Sequence, residues 1–345
     1  MDLEFTDEQH LLRETVRGVC TRHCGLDVVR RLEDDPVGYS EKFWLQLIEL
    51  GLLDAEISML DRAIVYQELG RALAPSPHFA SAVVSAGALE RAGASDWASQ
   101  AARGEAVIVP AWLEPERGFG PNGIASRVDD GRVSGVKRHV PFASSADRLL
   151  VLTRDGLALV DPKAPGVTLT QQMSIASDTQ YRVDFEGADA EVVAGHYSPL
   201  WHETMLDAII LAAAEAVGGA RYALDVTVQY SKDRVQFDKP LGAFQALAHY
   251  MSDAVTALDG AELLVWEAAW ARDEGRSIAR LAPMAKLFAC STYRDITAMA
   301  QQVFGGVGFT VEYDIQLYFR RAKQLQLSWW DDRYLEELIA SEVLA

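Results

Sequence analysis

Two stretches of the sequence carry side chains that could bind an anionic or aromatic ligand. The first is Tyr230–Gln245, which includes Arg234. A guanidinium is planar and presents a fork of N–H donors that suits a phosphate. The second is Gln302–Phe309, in which Gly305 and Gly306 follow an apolar helical run. Glycine adopts positive φ angles without strain, so this stretch allows a ligand to approach the main-chain N–H groups closely.

Each of these residues also has an ordinary structural explanation. Arg234 could be a surface cation that favours the negative end of a helix dipole. The glycines could form a helix C-cap followed by a tight turn. Phe237 and Phe244, taken singly, are predicted to be core residues, and Gln245 alone indicates nothing. The ligand-binding hypothesis therefore rests on the combination of these residues.

The elements that must position these stretches are helices. Downstream of Pro199 the apolar residues recur at helical spacing, which is typical of an antiparallel bundle. The predicted helices are Thr204–Lys232, Phe244–Asp273, Ala279–Phe304 and Asp331–Val343. The first stretch thus joins two long helices, and the second follows a third.

The rest of the chain contains a second helical region and a β region. Thr6–Gln9 has the pattern of a capping box at the start of a helix. Helical spacing recurs at Phe43–Leu50, Asp61–Ala74 and Ala80–Ala92. Between Ala106 and Val193 short apolar runs alternate with turn residues, which predicts a small antiparallel barrel or sandwich. The predicted fold is α+β and multi-domain, with an N-terminal helical domain (1–105), a middle β domain (106–198) and a C-terminal four-helix bundle (199–345).

Composition excludes several classes of function. The chain has 345 residues, 32 Lys+Arg and 50 Asp+Glu, which gives a net charge of −18. With no dense basic stripe, nucleic-acid binding is not expected. Cys20, Cys24 and Cys290 form no metal-ligand pattern, so we expect buried thiols and no metal site. No signal peptide is visible, and the apolar run Ala208–Ala220 is too short and too polar to span a bilayer. We expect a cytoplasmic protein without a membrane partner.

The two stretches together form a specific pair of motifs. They read Arg-x-x-Phe-x-x-Pro-Leu-x-x-Phe-Gln and Gln-x-x-Gly-Gly-x-Gly-Phe. This pair resembles the acyl-CoA dehydrogenase family. The resemblance covers essentially the whole chain, and the other segments that carry it are Leu3–Gln9, Leu47–Leu53, Gln67–Arg71 and Gly135–Asp147.

The resemblance implies a flavoenzyme. Members bind FAD and introduce an α,β double bond into an acyl-CoA thioester. A carboxylate removes the α proton, a hydride leaves the β carbon for the flavin, and the electrons pass to an electron-transfer protein. In the family each FAD lies at a subunit interface. The residues that the resemblance places against FAD held mainly by another chain are Arg234, Phe237, Gln245, Gln302, Gly305 and Gly306.

The family's positions for the catalytic carboxylate hold other residues in this chain. The commonest position, in a Tyr-Glu-Gly-Thr loop, aligns with Trp329, and an indole has no acceptor of useful basicity. An alternative position, on the first helix of the C-terminal domain, aligns with Ala208. Asp207 is one residue away, which is about 100° around a helix and therefore on the wrong face. No catalytic residue is predicted in this chain.

Other departures from the family pattern agree with this loss. The family's Trp-Ile-[Thr/Ser], which packs by the flavin, reads His139–Pro141, and its Thr-Glu-Pro-x-x-Gly-Ser-Asp reads Leu113–Gly120. A loop is deleted between Leu53 and Asp61. The chain resembles the shorter, base-less subunit of α2β2 actinobacterial enzymes that shorten steroid side chains as CoA thioesters. We therefore predict a catalytic acyl-CoA dehydrogenase subunit as partner, with the acyl-CoA substrate bound mainly on that partner.

Two other functions stay open from the sequence. The first is a self-sufficient homomeric dehydrogenase whose base is Asp331, Asp332 or Glu203, each of which is otherwise a helix-start or surface charge. The second is a flavin-free scaffold homologue. The Trp329–Trp330 pair is predicted to fill the vacated pocket as core, in preference to stacking on a substrate. Flavin content, measured on the chain alone and with a partner, distinguishes the three functions.

Overall fold

The computed structural model describes residues 4–54, 57–176, 178–195 and 197–344. The helices are α1 (Asp7–His23), α2 (Leu26–Arg31), α3 (Glu41–Glu49), α4 (Met59–Arg71), α5 (Ala86–Arg91), α6 (Ser95–Ala102), α7 (Ser198–Asp233), α8 (Gln245–Asp273), α9 (Leu281–Phe304), α10 (Ile315–Leu327) and α11 (Asp332–Leu344). The strands are β1 (Ile108–Ala111), β2 (Arg127–Asp129), β3 (Arg132–Pro141), β4 (Arg148–Leu152), β5 (Leu157–Val160), β6 (Val167–Gln172), β7 (Gln180–Ala194), β8 (Val235–Gln236) and β9 (Lys239–Pro240). The predicted order of helices, strands and helices is confirmed.

The chain divides into two compact units, and each is described by itself. The first unit contains Ser58–Ala74 together with the chain up to Val29 and the chain from Ile209 onward. The second unit contains Arg30–Ile57 and Pro75–Ala208. Helices α8 and α9 belong to the first unit, as does α7 from Ile209 onward, and the sheet formed by β1 to β7 belongs to the second. The boundaries of the three domains remain a prediction.

The capping box at the start of α1 is confirmed. The Thr6 hydroxyl accepts a hydrogen bond from the backbone N–H of Gln9 at 3.2 Å, and the Thr6 N–H donates to Gln9 Oε1 at 3.1 Å. These two bonds satisfy backbone donors that have no partner inside the helix. On its inner face α1 buries Val16, Val19 and Cys20 in the core of the first unit.

Helices α4 and α7 cross at very short range in the first unit. A Cβ at Gly218 would lie 1.8 Å from the carbonyl oxygen of Gln67, and one at Gly70 would lie 2.0 Å from that of Glu215. No other residue type has a side chain small enough for these two positions, because carbon and oxygen cannot approach closer than about 3 Å without repulsion. The glycines thus fix the distance between the two helices.

The second unit is built on one twisted sheet of strand order β1-β4-β5-β7-β3-β2, with β6 also paired to β7. The pairs are antiparallel except for β1 with β4, which is parallel. Strand β7 is 15 residues long and therefore reaches both halves of the sheet. Periodicity predicts that strands exist but not the direction of their partners, which is why the parallel pair was not foreseen.

Several elements differ from the expectations. The segment Phe79–Ser85 is a π-helix that continues into α5, where the sequence predicted one regular helix. Helix α10 was not predicted, because its buried face mixes Ile315 and Leu317 with Arg321 and Gln326. The polar members interrupt the apolar spacing on which helix prediction depends.

Among the described residues, no helix combines the length and apolarity needed to cross a membrane.

Candidate functional site

The two sequence motifs meet at the ends of α7 and α9. The rings of Tyr230 and Phe304 stack with centroids 4.1 Å apart and planes 15° from parallel. Phe304 also contacts Tyr313 edge-on at 6.0 Å. Aromatic stacking of this kind contributes about 1 kcal/mol beyond the burial of apolar area. The contact holds the start of the Arg234 motif against the Gln302–Phe309 turn.

After α7 the chain forms a short hairpin that projects into solvent. Strands β8 and β9 pair antiparallel, with Val235 opposite Pro240. The two residues of the turn, Phe237 and Asp238, have φ angles of 52° and 65°. Positive φ at both central residues defines a type I′ turn, which ordinarily holds Asn or Gly. A phenylalanine here is strained, and strained positions are concentrated at functional sites.

The exposure of Phe237 overturns one expectation. Its ring is 86 % exposed, whereas a single phenylalanine is expected in the core. It contacts Phe244 edge-on at 6.2 Å, and Phe244 is partly buried under the Lys239 ammonium, 4.2 Å from the ring centroid. The turn geometry explains the difference, because it directs Phe237 away from the helices.

Three polar side chains of the motifs point outward. The side chains of Arg234, Gln245 and Gln302 are exposed, and none of them makes a hydrogen bond or ion pair with another residue in the described ranges. The backbone of Arg234 is nevertheless fixed, since its N–H donates to the Tyr230 carbonyl at 2.9 Å and its carbonyl accepts from Leu241 N at 2.9 Å. These side chains are available to a ligand or a second chain.

The glycine turn has an open side and a packed side. Gly305 ends α9 with φ of +65°, and its N–H donates to the Gln301 carbonyl. A Cβ added at Gly305 or Gly306 would meet nothing within 4 Å, so their backbone is accessible. At Gly308 a Cβ would lie 2.6 Å from Gln301 Oε1, which makes that glycine a packing requirement. The C-cap that the sequence allows is therefore present together with an open approach to the backbone.

The segment aligned with the family's catalytic loop has an unusual backbone. Trp329 and Trp330 have φ angles of 54° and 72°, in the left-handed region that favours glycine. Trp330 is only 2 % exposed, as expected for a core plug, while Trp329 is partly exposed. The ammonium of Lys286 donates to the carbonyls of Trp330 at 2.8 Å and Leu325 at 3.1 Å. Burial lowers the pKa of Lys286, which nothing in the sequence marked as important.

The carboxylates nearest this segment hold the start of α11. Asp331 Oδ1 accepts from the Tyr334 N–H at 3.0 Å, which is an N-cap contact. Asp332 Oδ2 accepts from Gln326 Nε2. Asp332 Oδ1 is buried and has no hydrogen-bond partner among the described atoms. These roles favour the structural explanation for Asp331, whereas Asp332 keeps one oxygen that could accept a proton.

The alternative position for a base is also without a carboxylate. Ala208 is fully buried on α7. Asp207 forms an ion pair with Arg91, with Arg91 Nη2 2.5 Å from Asp207 Oδ2. Glu203 is exposed. Neither Trp329 nor Ala208, the residues predicted from the sequence to stand at the positions of the family's base, carries a group that can accept a proton.

The second unit contains a buried ion pair in the segment that replaces the family's Thr-Glu-Pro motif. Lys137 is fully buried, and its ammonium donates to Glu114 Oε1 at 2.8 Å. Burial lowers the pKa of Lys137 to about 8, against the opposing effect of Glu114. Burial acts to raise the pKa of Glu114, but Lys137 and the hydrogen bonds from Ser126 outweigh it and the pKa is lowered. The pair holds residues 114–126 against β3.

His139, which aligns with the family's flavin-packing tryptophan, lies at an irregularity of β3. The register of β3 with β7 shifts between Lys137 and Val140, and His139 has a φ of 53°. Its side chain is exposed, with Nδ1 2.8 Å from Gln180 Oε1. An exposed imidazole in a bulge does not reproduce the apolar surface of an indole.

Metal chemistry finds no support in the described part of the chain. No group of three or more His, Cys, Asp or Glu side chains is placed to hold an ion there. All three cysteines are buried and unpaired with one another. Burial raises the pKa of Cys20 to about 12 and also raises that of Cys24, so neither is a thiolate at neutral pH.

Comparison with known proteins agrees with this architecture. Residues 6–100 match the acyl-CoA dehydrogenase N-terminal domain, and residues 203–340 match the acyl-CoA dehydrogenase C-terminal domain. The acyl-CoA dehydrogenase IpdE2 of Mycolicibacterium smegmatis is 32% identical, over 92% of this chain and 93% of its own length. The chain therefore belongs to the acyl-CoA dehydrogenase family, whose members are FAD flavoproteins.

Two solved structures are similar over their whole length. A chain of the ChsE4-ChsE5 complex from Mycobacterium tuberculosis superposes with a TM-score of 0.88 at 24% identity, covering 100% of this chain and 99% of that one. The structure described as Tcur3481-Tcur3483 steroid ACAD G363A variant gives a TM-score of 0.86 at 26% identity, covering 98% and 99%. The predicted fold class is thus confirmed, with an N-terminal helical domain, a middle β domain and a C-terminal helical domain.

Proposed function

We propose that this chain is the non-catalytic subunit of a heteromeric acyl-CoA dehydrogenase and that it completes the FAD site of a catalytic partner. The proposal rests mainly on a group of side chains in the first unit that point outward, called here the outward set. Arg234, Gln245 and Gln302 are exposed and make no side-chain hydrogen bond or ion pair within the described ranges, and Phe237 is held in solvent by a strained turn. Exposed polar side chains and a strained turn do not stabilise the isolated chain, so this arrangement favours a role in binding.

The outward residues fit FAD chemically. Arg234 offers a guanidinium for the pyrophosphate, and Phe237 offers an aromatic face. Gly305 and Gly306 have open space where a side chain would lie, so their amides can approach a ligand closely. When bound, FAD supplies the acceptor for the hydride. In this proposal the chain's own residues bind and orient the cofactor and take no part in proton removal.

The residues at the two positions predicted for a base are the second support. Trp329 and Ala208 occupy the family positions, and the Trp329–Trp330 segment is anchored by Lys286. Asp331 caps α11, so using it as a base would break that cap. Acceleration by a positioned base is worth about a hundredfold to ten-thousandfold, so a chain without one is a poor catalyst alone.

The relatives support a partner and a substrate class. One of the similar structures is a complex of two different chains, and another is described as a steroid ACAD. We extend both features to this chain: an α2β2 assembly with a catalytic acyl-CoA dehydrogenase subunit, acting on an acyl-CoA thioester such as a steroid-CoA. The electrons would leave through an electron-transfer protein, and the assembly would work in the cytoplasm.

The test is co-expression of the chain with candidate catalytic acyl-CoA dehydrogenase subunits from the same genome, followed by flavin counting. We expect the chain alone to be colourless and the complex to carry fewer FAD molecules than chains. Arg234→Ala should lower the flavin content of the complex. Arg333→Ala, which removes an arginine exposed on α11, should leave flavin content unchanged.

Three results would contradict the proposal. Stoichiometric FAD on the chain alone would show that it owns a complete site. Turnover of an acyl-CoA by the purified single chain, lost in Asp331→Asn or Asp332→Asn, would show a self-sufficient enzyme with an unusual base. Equal flavin content in the Arg234→Ala and Arg333→Ala complexes would favour a flavin-free scaffold.

A further inference from the structure

A cavity of about 280 Å³ in the first unit is lined by four arginines, and the proposed function does not use it. It lies among α1, α4, α7 and α8. Arg13 and Arg17 come from α1, Arg71 from the end of α4 and Arg221 from α7. Positive charges grouped around one cavity repel each other unless anions compensate them. The groups that neutralise the positive charge of these four arginines therefore determine which ligands the cavity can bind.

The carboxylates that line the cavity are already engaged. Both oxygens of Glu68 accept from Arg17, at 2.8 Å from Nε and 2.6 Å from Nη2. Glu262 Oε1 accepts from Gln67 at 3.3 Å, and its Oε2 accepts from Arg221 at 3.0 Å. Each carboxylate oxygen that faces the cavity thus has a donor from the cavity wall.

The arginines on the cavity wall, by contrast, keep N–H donors that have no acceptor. A guanidinium carries five N–H donors. Arg71 uses Nη1 toward Asp225 at 3.0 Å, and Arg221 uses only Nη2, toward Glu262 and Asp259. Arg13 contacts the His10 ring nitrogen at 3.0 Å and has no carboxylate partner in the part of the chain that the structure describes.

Trp266 contributes an aromatic side chain to the wall of the same cavity. Its indole Nε1 is buried and has no hydrogen-bond partner among the described residues. The ring is held in place by Phe5, edge-on at 5.0 Å, and the Arg13 guanidinium lies over Phe5 at 5.5 Å. The Trp266 ring therefore provides a fixed fluorescent reporter on the cavity wall.

We propose that this cavity binds a small oxyanion, carried by a phosphate or a carboxylate group. The wall offers unused N–H donors from several guanidinium groups, while its acceptors are occupied. A ligand that fits such a wall accepts hydrogen bonds only and is negatively charged, which describes an oxyanion. The site is independent of the outward FAD-contacting set, because the two share no residue.

The experiment uses the purified full-length chain, with pyrophosphate and citrate as probes at constant ionic strength adjusted with sodium chloride. Binding is followed by calorimetry and by quenching of tryptophan emission. We expect saturable binding of at least one probe. Arg13→Gln should weaken it about tenfold, because a charge-assisted contact is lost. Trp266→Phe keeps an aromatic ring against Phe5 and removes the indole from the cavity wall, so it should weaken binding less than Arg13→Gln does and abolish much of the quenching.

The control is Arg276→Gln, which removes an exposed arginine that stacks on Trp270 outside the cavity. It should bind as the unchanged protein does. Preference for pyrophosphate over citrate would identify a phosphate ligand, and the reverse a carboxylate ligand. Absence of saturable binding by both probes would overturn the proposal. So would Trp266→Phe and Arg13→Gln binding as tightly as Arg276→Gln, and circular dichroism of each variant shows whether it is folded.

Discussion

At the scale of single residues, the ammonium of Lys137 makes a measurable prediction. Its pKa is lowered from the ordinary 10.5 to about 8, mainly by burial. Between these two pH values the unfolded chain binds more protons than the folded one, so the free energy of unfolding rises with pH across this window. A shift of this size corresponds to about 3 kcal/mol in total.

The measurement is urea unfolding of the protein at a series of pH values from 7 to 11. The reference is the double variant Glu114→Gln with Lys137→Met, which has neither titrating group of the pair and leaves the surface charges unchanged. We expect the unchanged protein to gain stability relative to this reference as the pH rises from about 8 to 10.5. Parallel curves for the two proteins would show that Lys137 titrates normally.

The residue scale also shows what single letters of the sequence can and cannot reveal. Arg234, Gln245 and Gln302 were identified because they belong to motifs, and the structure places them outward. Lys286 and Lys137 were missed because a lysine is ordinarily a surface residue. Only the folded chain shows that each ammonium is fully buried and binds oxygens far away in the sequence.

At the scale of elements, the crossing of α4 and α7 depends on Gly218. A Cβ there would overlap the Gln67 carbonyl at 1.8 Å, and backbone atoms cannot move aside cheaply. We therefore expect Gly218→Ala to destabilise the protein by about 3 kcal/mol or more, as overpacking of a rigid contact does. Thermal unfolding of the variant and of a matched control measures this.

The matched control is Gly260→Ala, in the middle of α8. A Cβ at Gly260 would lie 3.4 Å from the Phe288 ring, which is ordinary contact. Alanine is the better helix former, so this variant should be about 0.5–1 kcal/mol more stable. If both variants shifted the unfolding temperature by the same amount, helix propensity would explain the effect of Gly218→Ala and the helix crossing would not.

Elements whose apolar residues follow one consistent spacing could be predicted from the sequence. Elements in which polar residues interrupt that spacing could not. The ends of α8 and α9 were predicted to within two residues and those of α7 to within six, because apolar spacing and cap residues agree along these helices. The hairpin β8–β9 was not predicted. Its turn places Phe237 and Asp238 where Asn-Gly is the usual signal, so local sequence chemistry gave no indication of it.

At the scale of the whole molecule, net charge and exposed apolar surface have opposite effects on association between copies of the chain. A charge of −18 keeps copies of the chain apart through mutual repulsion. The hairpin instead exposes Phe237 by 86 % and Val235 by 54 %. Exposed apolar groups of this kind mark surfaces that another molecule covers. Repulsion between copies weakens as salt screens it, whereas the apolar contact does not weaken in this way.

This opposition predicts how the chain behaves without its partner. In low salt the charge should keep the lone chain monomeric, and at about 0.5 M salt, where screening is strong, the exposed hairpin should promote association. Phe237→Asn removes the apolar ring and keeps the turn, because asparagine tolerates positive φ. Light scattering should show less salt-induced association for this variant than for the unchanged chain. Leu11→Ser, which removes another exposed apolar side chain far from the hairpin in sequence, should change association less.

Phe237→Asn also distinguishes self-association of the chain from a specific interface with the catalytic partner. If Phe237 lies against the catalytic partner, Phe237→Asn should also lower the amount of partner that co-purifies with the tagged chain, whereas Leu11→Ser should not. A loss of about tenfold in affinity is the size expected for removing one aromatic anchor from an interface centre. Full co-purification with reduced self-association would assign the hairpin to contacts between copies of this chain and would remove Phe237 from the proposed FAD-completing set.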